Sequence, residues 1–405
     1  MKRIILKIKI LIKDKLLLGF INKLLFAPRK KTISLDEMQV GKKGIRVQEV
    51  FPVTPSNLII DPDLLALTNV LEIVNYKPEY VINPVYIAEV EKGRLMTDYT
   101  DIAIMNENRN LLENFSIHYD SGYSSKGSLR VWGAKNQVNN NLYHRNFYYP
   151  PEKIKGTVLN MHTGGGGGSY YHYLFDVLPG IYIAEKAGLL NQVDFFYFQS
   201  LNKKFQKEAL ISLGIDLNKV ITQEYSYHFS TEKLITFTHP GEWFHIPLWA
   251  INFLREQFIP KIIPDKKEFS KLLISRKDAA SGRNIENEDE IFSKLEPLGF
   301  KRIILSHYSF LDQVKIFNSA EIIISPHGAG LANLVFCNPN TFVIEVFNHD
   351  FITPLFHSLS KRLNINHTFL ITSGNKDNKM NDAGYANLFI EETKLFEILN
   401  KSIIK

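Results

Sequence analysis

The feature that most constrains the fold is a regular beat of short, wholly apolar runs between Lys271 and Phe347. "KLLIS", "KRIIL", "EIIIS" and "TFVIEVF" read as strands buried on both faces, and "ENEDEIFSKLEPLG", "SFLDQVKIFNSA" and "GAGLANLVF" as the helices between them. Strands joined through helices in this way form a parallel sheet covered on both sides. Upstream the same alternation recurs, with "GTVLNM", "QVDFFYF" and "KLITFT" as strands and "KKFQKEALISLG" and "PLWAINFLREQFI" as helices. At 405 residues the chain exceeds what one core usually holds. It is therefore expected to be α/β, with two such lobes facing each other across a central cleft. The divisions read as a basic arm at 1–31, a first lobe at 32–258 with a β-rich start over about 47–134, a second lobe at 259–375 and a helical tail at 376–405. The hinge falls near 258–268, in "FIPKIIPDKKE".

Charge is concentrated at one end. Residues 1–31 hold ten Lys/Arg against the single acid Asp14, a local +9, so the remaining 374 residues carry −3 against a whole-chain +6. Lysines or Asp14 interrupt every apolar run of this arm, which argues against a spanning helix or a cleaved signal. Its Ile/Leu/Lys pattern suits an amphipathic helix on an anionic membrane surface; the alternative is a helix that packs on the body or on a second copy in a homo-oligomer. The mildly acidic remainder makes nucleic acid an unsuitable partner. Cys337 is the sole cysteine, so neither an intrachain disulfide nor a multi-cysteine metal site can form, and it reads as core packing.

Three stretches can carry chemistry. In "AEIIISPHGAGLANLVF" a buried strand ends at Ser325-Pro326-His327, and Gly328-Ala329-Gly330 open a helix. Glycines there admit a close ligand and the helix start favours an anion such as a pyrophosphate, although an ordinary tight turn has the same sequence. In "LLISRKDAASGRN", Arg276 sits at a strand's carboxyl end and Arg283 follows a loop; two guanidiniums can grip a diphosphate bidentately where Lys277 acts only as a point charge. In "TGGGGGSYYHYLFDVLPG", Thr163–Gly180, five glycines precede a helix capped by Ser169, on which His172 and Asp176 share a face. Either is suited to act as a general base, Asp176 foremost, with His172 orienting it or replacing it; a polar pair with a packing role is the alternative. His239 and His245, in "HPGEWFHIP", either line the acceptor side or pack among aromatics. No metal-ligand pattern is evident: Asp61-Pro62-Asp63 has the spacing but reads as a solvated turn.

Taken together and in order, "YYHYLFDVLPGIYIAEKAGLL", "ISRKDAASGRNIENEDEI", "DQVKIFNSAEIIISPHGAGLANLVF" and "VIEVF" resemble glycosyltransferase family 61 over roughly residues 155–350. The resemblance implies a GT-B architecture of two Rossmann-like lobes and inverting, metal-independent transfer from a nucleotide-diphosphate sugar, a UDP-sugar above others, to a glycan or lipid-linked glycan. It implies that Arg276 and Arg283 face the diphosphate, that His327, Gly328, Ala329 and Gly330 form the glycine turn at the donor with Asn333 as the asparagine that follows it, that Glu345 accepts from ribose hydroxyls, and that His172 and Asp176 lie opposite. With the arm, this suggests a role in capsule, lipopolysaccharide or similar surface-polysaccharide synthesis at the inner face of a bacterial cell membrane. The rival expectation is an inactive protein that binds nucleotide sugar at the membrane surface.

Overall fold

The structure is a computed structural model that describes residues 15, 17–41, 44–57, 60–68, 79–97, 101–120, 129–132, 142, 145–163, 165–223, 227–241, 245–279, 282–372 and 386–403. Most of the arm, residues 1–14 and 16, lies outside the described residues, as do 373–385 of the expected tail.

Two sheets organise the chain. The second consists of five parallel strands in the spatial order Phe300–Ile304, Lys271–Ser275, Ile322–Pro326, Phe342–Asn348, Asn366–Thr372. In chain order this is 2-1-3-4-5. The winding direction reverses between Lys271–Ser275 and Ile322–Pro326, and at such a reversal the loops leave in opposite directions and open a crevice beyond the carboxyl ends of the strands. The helix Phe310–Ser319 is fixed at its start by Ser309 and Asp312, each side chain meeting the other residue's backbone N–H.

Among the described residues the first sheet has twelve strands. Its parallel part runs Val220–Thr222, Phe195–Phe198, Glu152–Asn160, Tyr227–Phe237, which is chain order 3-2-1-4. A second reversal therefore lies between Glu152–Asn160 and Tyr227–Phe237. Beyond Tyr227–Phe237 the sheet continues antiparallel through Val85–Glu91 and Arg94–Thr97. The β-rich start is thus continuous with the α/β part, a pairing that the period of a strand cannot reveal.

Apolar burial crosses the expected divisions. The largest cluster of buried side chains contains Leu159, Ile235, Leu272 and Val343, from both sheets. Ile60 and Leu64 pack on Phe347 and Ile352 of the second sheet, and the Asp61 N–H donates to His357 Nε2 at 3.2 Å. Asp61 also caps the helix Pro62–Leu67 by accepting from the Asp63 N–H, so it has a structural duty and is not simply a solvated turn residue. The terminal helix Glu392–Ile403 buries Leu395 and Leu399 with Ile291, Leu295 and Ile344 in a separate cluster on the second sheet.

Candidate active site

The crevice at the reversal of the first sheet receives the segment after Glu152–Asn160. Gly166 and Gly167 are packed tightly: a Cβ on Gly166 would stand 2.1 Å from Val177 Cγ2, and one on Gly167 2.6 Å from Gln199 Oε1. Gln206 donates its side-chain amide to the Gly166 carbonyl at 3.0 Å. The glycines here act as close-approach residues that let the loop lie on the following helix. Gly166→Ala is expected to lower stability by about 1–3 kcal/mol through overpacking, whereas Gly168→Ala, whose Cβ would meet nothing within 4 Å, is expected to leave the melting temperature nearly unchanged. Calorimetry of the two variants checks the contrast.

The helix that follows is not uniform. Ser169 caps a turn at Tyr170–His172, Tyr173–Val177 is a π-helix, and Pro179–Lys186 is α-helical. The Leu178 N–H reaches back five residues to the Tyr173 carbonyl at 3.0 Å. Pro179 has no N–H to continue the ordinary ladder, a local reason for a widened turn at this point. Within this turn His172 Nδ1 lies 2.6 Å from Asp176 Oδ2, and His239 Nε2, just beyond the carboxyl end of Tyr227–Phe237, lies 3.4 Å from the same oxygen. The Asp176 carboxyl is buried, which alone would raise its pKa, but His239 and His172 outweigh burial and hold it below the usual carboxylate range. An ionised Asp176 accepts from His172 Nδ1–H, which leaves Nε2 as the basic nitrogen; the His172 side chain is one-third exposed. His239 thus joins His172 and Asp176 in one cluster. His245 does not: it is buried 2.9 Å from Ser56 Oγ, its pKa pushed down to about 4 by burial and by Arg362.

The crevice at the reversal of the second sheet forms a pocket of about 170 Å³ lined by Ser275, Arg276 and Asp278 on one side and Ser325, Pro326, Gly328 and Gly330 on the other. Gly328 lets the Arg276 guanidinium lie against the turn: a Cβ there would stand 2.2 Å from Arg276 Nη1, and the guanidinium would have to shift to admit it. Burial and neighbouring Arg283 push the Arg276 pKa down to about 10, so its guanidinium stays charged at neutral pH. Arg283 adopts a left-handed backbone at φ 60°, a conformation a non-glycine residue holds only when its surroundings impose it. The Arg283 guanidinium lies 5.7 Å from the centre of the Phe351 ring and is not among the residues that line this pocket, so of the two arginines Arg276 is the one at its wall.

Other expected site residues stand behind the pocket. Glu345 is fully buried, with Oε1 2.6 Å from His327 Nδ1 and Oε2 3.1 Å from His367 Nε2, so it supports His327 and does not reach a ribose. Burial, opposed by Glu345 and reinforced by Arg283 and Arg276, lowers the His327 pKa. Asn333 is also fully buried: its amide donates to Gln313 Oε1 and the Gly330 carbonyl, both at 3.1 Å, and its oxygen accepts from Tyr170 Oη at 2.6 Å. It holds the glycine turn to the His172 segment and does not face a ligand. The segment Ala329–Phe336 is a 3-10 helix and not the expected α-helix. Sequence reading missed Tyr170 as this tie and left His239 undecided, because these contacts depend on strand order and span 163 residues for Tyr170–Asn333 and 63 for His239–Asp176.

Comparison with known proteins bears on residues 170–344, which match the family model described as glycosyltransferase 61. The matched span takes in His172, Asp176, His239, Arg276, Arg283 and the 327–330 turn. A β-1,2-xylosyltransferase of Arabidopsis thaliana is 33% identical over 88 residues, 18% of this chain and 16% of that protein. The chain thus spans about a sixth of that relative. Among solved structures, TibC from enterotoxigenic E. coli H10407, described as a bacterial iron-containing dodecameric glycosyltransferase, is 10% identical over 65% of this chain and 75% of its own. The TM-score of that match is 0.24, too low to speak for a shared fold.

Proposed function

We propose that this chain, whose residues 170–344 match glycosyltransferase 61, is an inverting, metal-independent glycosyltransferase of GT-B form. Its donor is a nucleotide-diphosphate sugar, a UDP-sugar first among them, and its acceptor a hydroxyl of a glycan or lipid-linked glycan. One observation carries this reading: the 2.6 Å bond between Tyr170 and Asn333 holds the imidazole–carboxylate cluster of one crevice against the cationic pocket of the other.

The chemistry follows from that juxtaposition. The acceptor oxygen attacks the anomeric carbon while His172 Nε2 takes its proton; Asp176 and His239 keep the ring oriented and the resulting imidazolium stabilised. The bond from the anomeric carbon to the diphosphate oxygen breaks, and its electron pair leaves with the diphosphate, whose growing charge Arg276 and Arg283 stabilise. Attack opposite the leaving group inverts the anomeric centre. In this assignment His172 is the base and Asp176 its partner, because Asp176 is the buried, already ionised member and His172 the exposed one. We place the reaction in surface-polysaccharide synthesis, capsule or lipopolysaccharide, at the inner face of a bacterial membrane; the basic arm supports that setting.

A screen of UDP-sugars by thermal unfolding tests the donor site. A donor at 100 times its dissociation constant is expected to add about 2.7 kcal/mol to stability, and Arg276→Ala is expected to abolish the effect. If no nucleotide or nucleotide sugar raises the melting temperature, the pocket is not a donor site.

A further inference from the structure

Residues 17–26 form a helix whose apolar face is turned away from the body. Leu17, Leu18, Phe20, Ile21, Leu24 and Leu25 are all exposed, Phe20 by 67% and Leu18 by 65%. At 100° per residue these six fall within an arc of roughly 160°, the width of a face that a globular protein normally buries. Polar contacts hold the opposite side. The buried Asn22 accepts from the Tyr148 N–H at 2.7 Å and donates to the Tyr148 carbonyl at 2.8 Å, and Arg109 donates to the carbonyls of Leu24 and Ala27 at 2.7 and 3.1 Å. The helix is thereby clamped to the body with its apolar face outward.

The clamp also displays two aromatic side chains from elsewhere in the sequence. Tyr148 is buried among Met96, Met105 and Leu142, while its neighbours Phe147 and Tyr149 are 55% and 67% exposed and meet edge to face at 5.7 Å. Lys15, Lys23, Arg29 and Lys31 are exposed on the helix and the strand that follows it. Among the described residues no helix is long and apolar enough to cross a membrane.

We propose that Phe147 and Tyr149 form, with the outward face of the 17–26 helix, a single rigid surface that seats in the interface of an anionic bilayer. The inference rests on the membrane reading of the arm, and extends it to body residues and to a fixed orientation of the enzyme on the lipid. Apolar and aromatic side chains suit the headgroup–acyl boundary, where a tyrosine hydroxyl stays hydrated, and the lysines and arginine meet lipid phosphate. A second copy of the chain is disfavoured as the occupant, because a two-fold contact through this surface sets the same cations against one another.

Sedimentation of the full chain with phosphatidylcholine vesicles, with and without phosphatidylglycerol, tests this. Binding is expected to require phosphatidylglycerol. Phe147→Ser with Tyr149→Ser is expected to weaken it roughly tenfold, as removal of two inserted aromatics would, with the melting temperature and donor-induced stabilisation unchanged. Leu18→Ser with Leu25→Ser, which tests the arm alone, is expected to weaken it as well. If only the arm pair matters, the arm binds lipid but the composite surface is wrong. If neither vesicle binds, or light scattering shows a dimer that the aromatic pair disrupts, the proposal is overturned.

Discussion

Replacement of His172 by alanine is expected to lower kcat by about 10²–10⁴-fold, the usual contribution of a positioned base, with little change in donor affinity. Asp176→Asn is expected to fall in the same range: the amide oxygen still accepts from His172 Nδ1–H at a similar separation, but the charge that stabilises the imidazolium is gone. Because the two act as a unit, the double variant should lose little more than the worse single one. The sign of the pH response follows from the depressed carboxyl of Asp176. A carboxyl with a native pKa below its unfolded value contributes stability above the unfolded pKa and loses it only as pH falls through the native one. Asp176 therefore stays ionised through the ordinary carboxylate range, and an acid limb in the rate reports a group other than this carboxyl. Turnover by His172→Ala at the wild-type rate would remove His172 from the mechanism.

Arg276→Lys is expected to reduce kcat/KM by about 10²–10³-fold, close to the loss of one preorganised donor at a developing negative charge. Lysine keeps the charge but not the planar fork, and Gly328 has been left without a side chain to admit that fork, with Arg276 Nη1 2.2 Å from where a Cβ would stand. Gly328→Ala should accordingly copy much of the defect without touching charge. Steady-state kinetics with a fixed acceptor measure both. If lysine substitutes freely, Arg276 supplies only a positive field and the bidentate grip is wrong.

Much of this site is legible in the sequence because it is local. Arg276 follows a strand by one residue, the 327–330 turn follows another, and His172 and Asp176 are four apart on a helix opened by Ser169. What misled was burial. Glu345 is expected at a strand end facing a ribose, but it sits in the middle of the strand Phe342–Asn348, where His327 and His367 enclose it. Asn333 reads as part of a ligand-facing turn, but its amide is engaged on both sides.

The sequence by itself determined the parallel α/β character, the positions of the turns that bear functional groups, and the concentration of positive charge at one end. Each depends on periodicity or composition within a few residues. Only the tertiary structure decided strand order, and strand order places the two reversals that open the crevices. It also brought His239 to Asp176 across 63 residues, tied Tyr170 to Asn333 and turned the apolar face of the 17–26 helix outward. These contacts are selected by the packing of a shared core, and the same local patterns are compatible with other orders until that core forms.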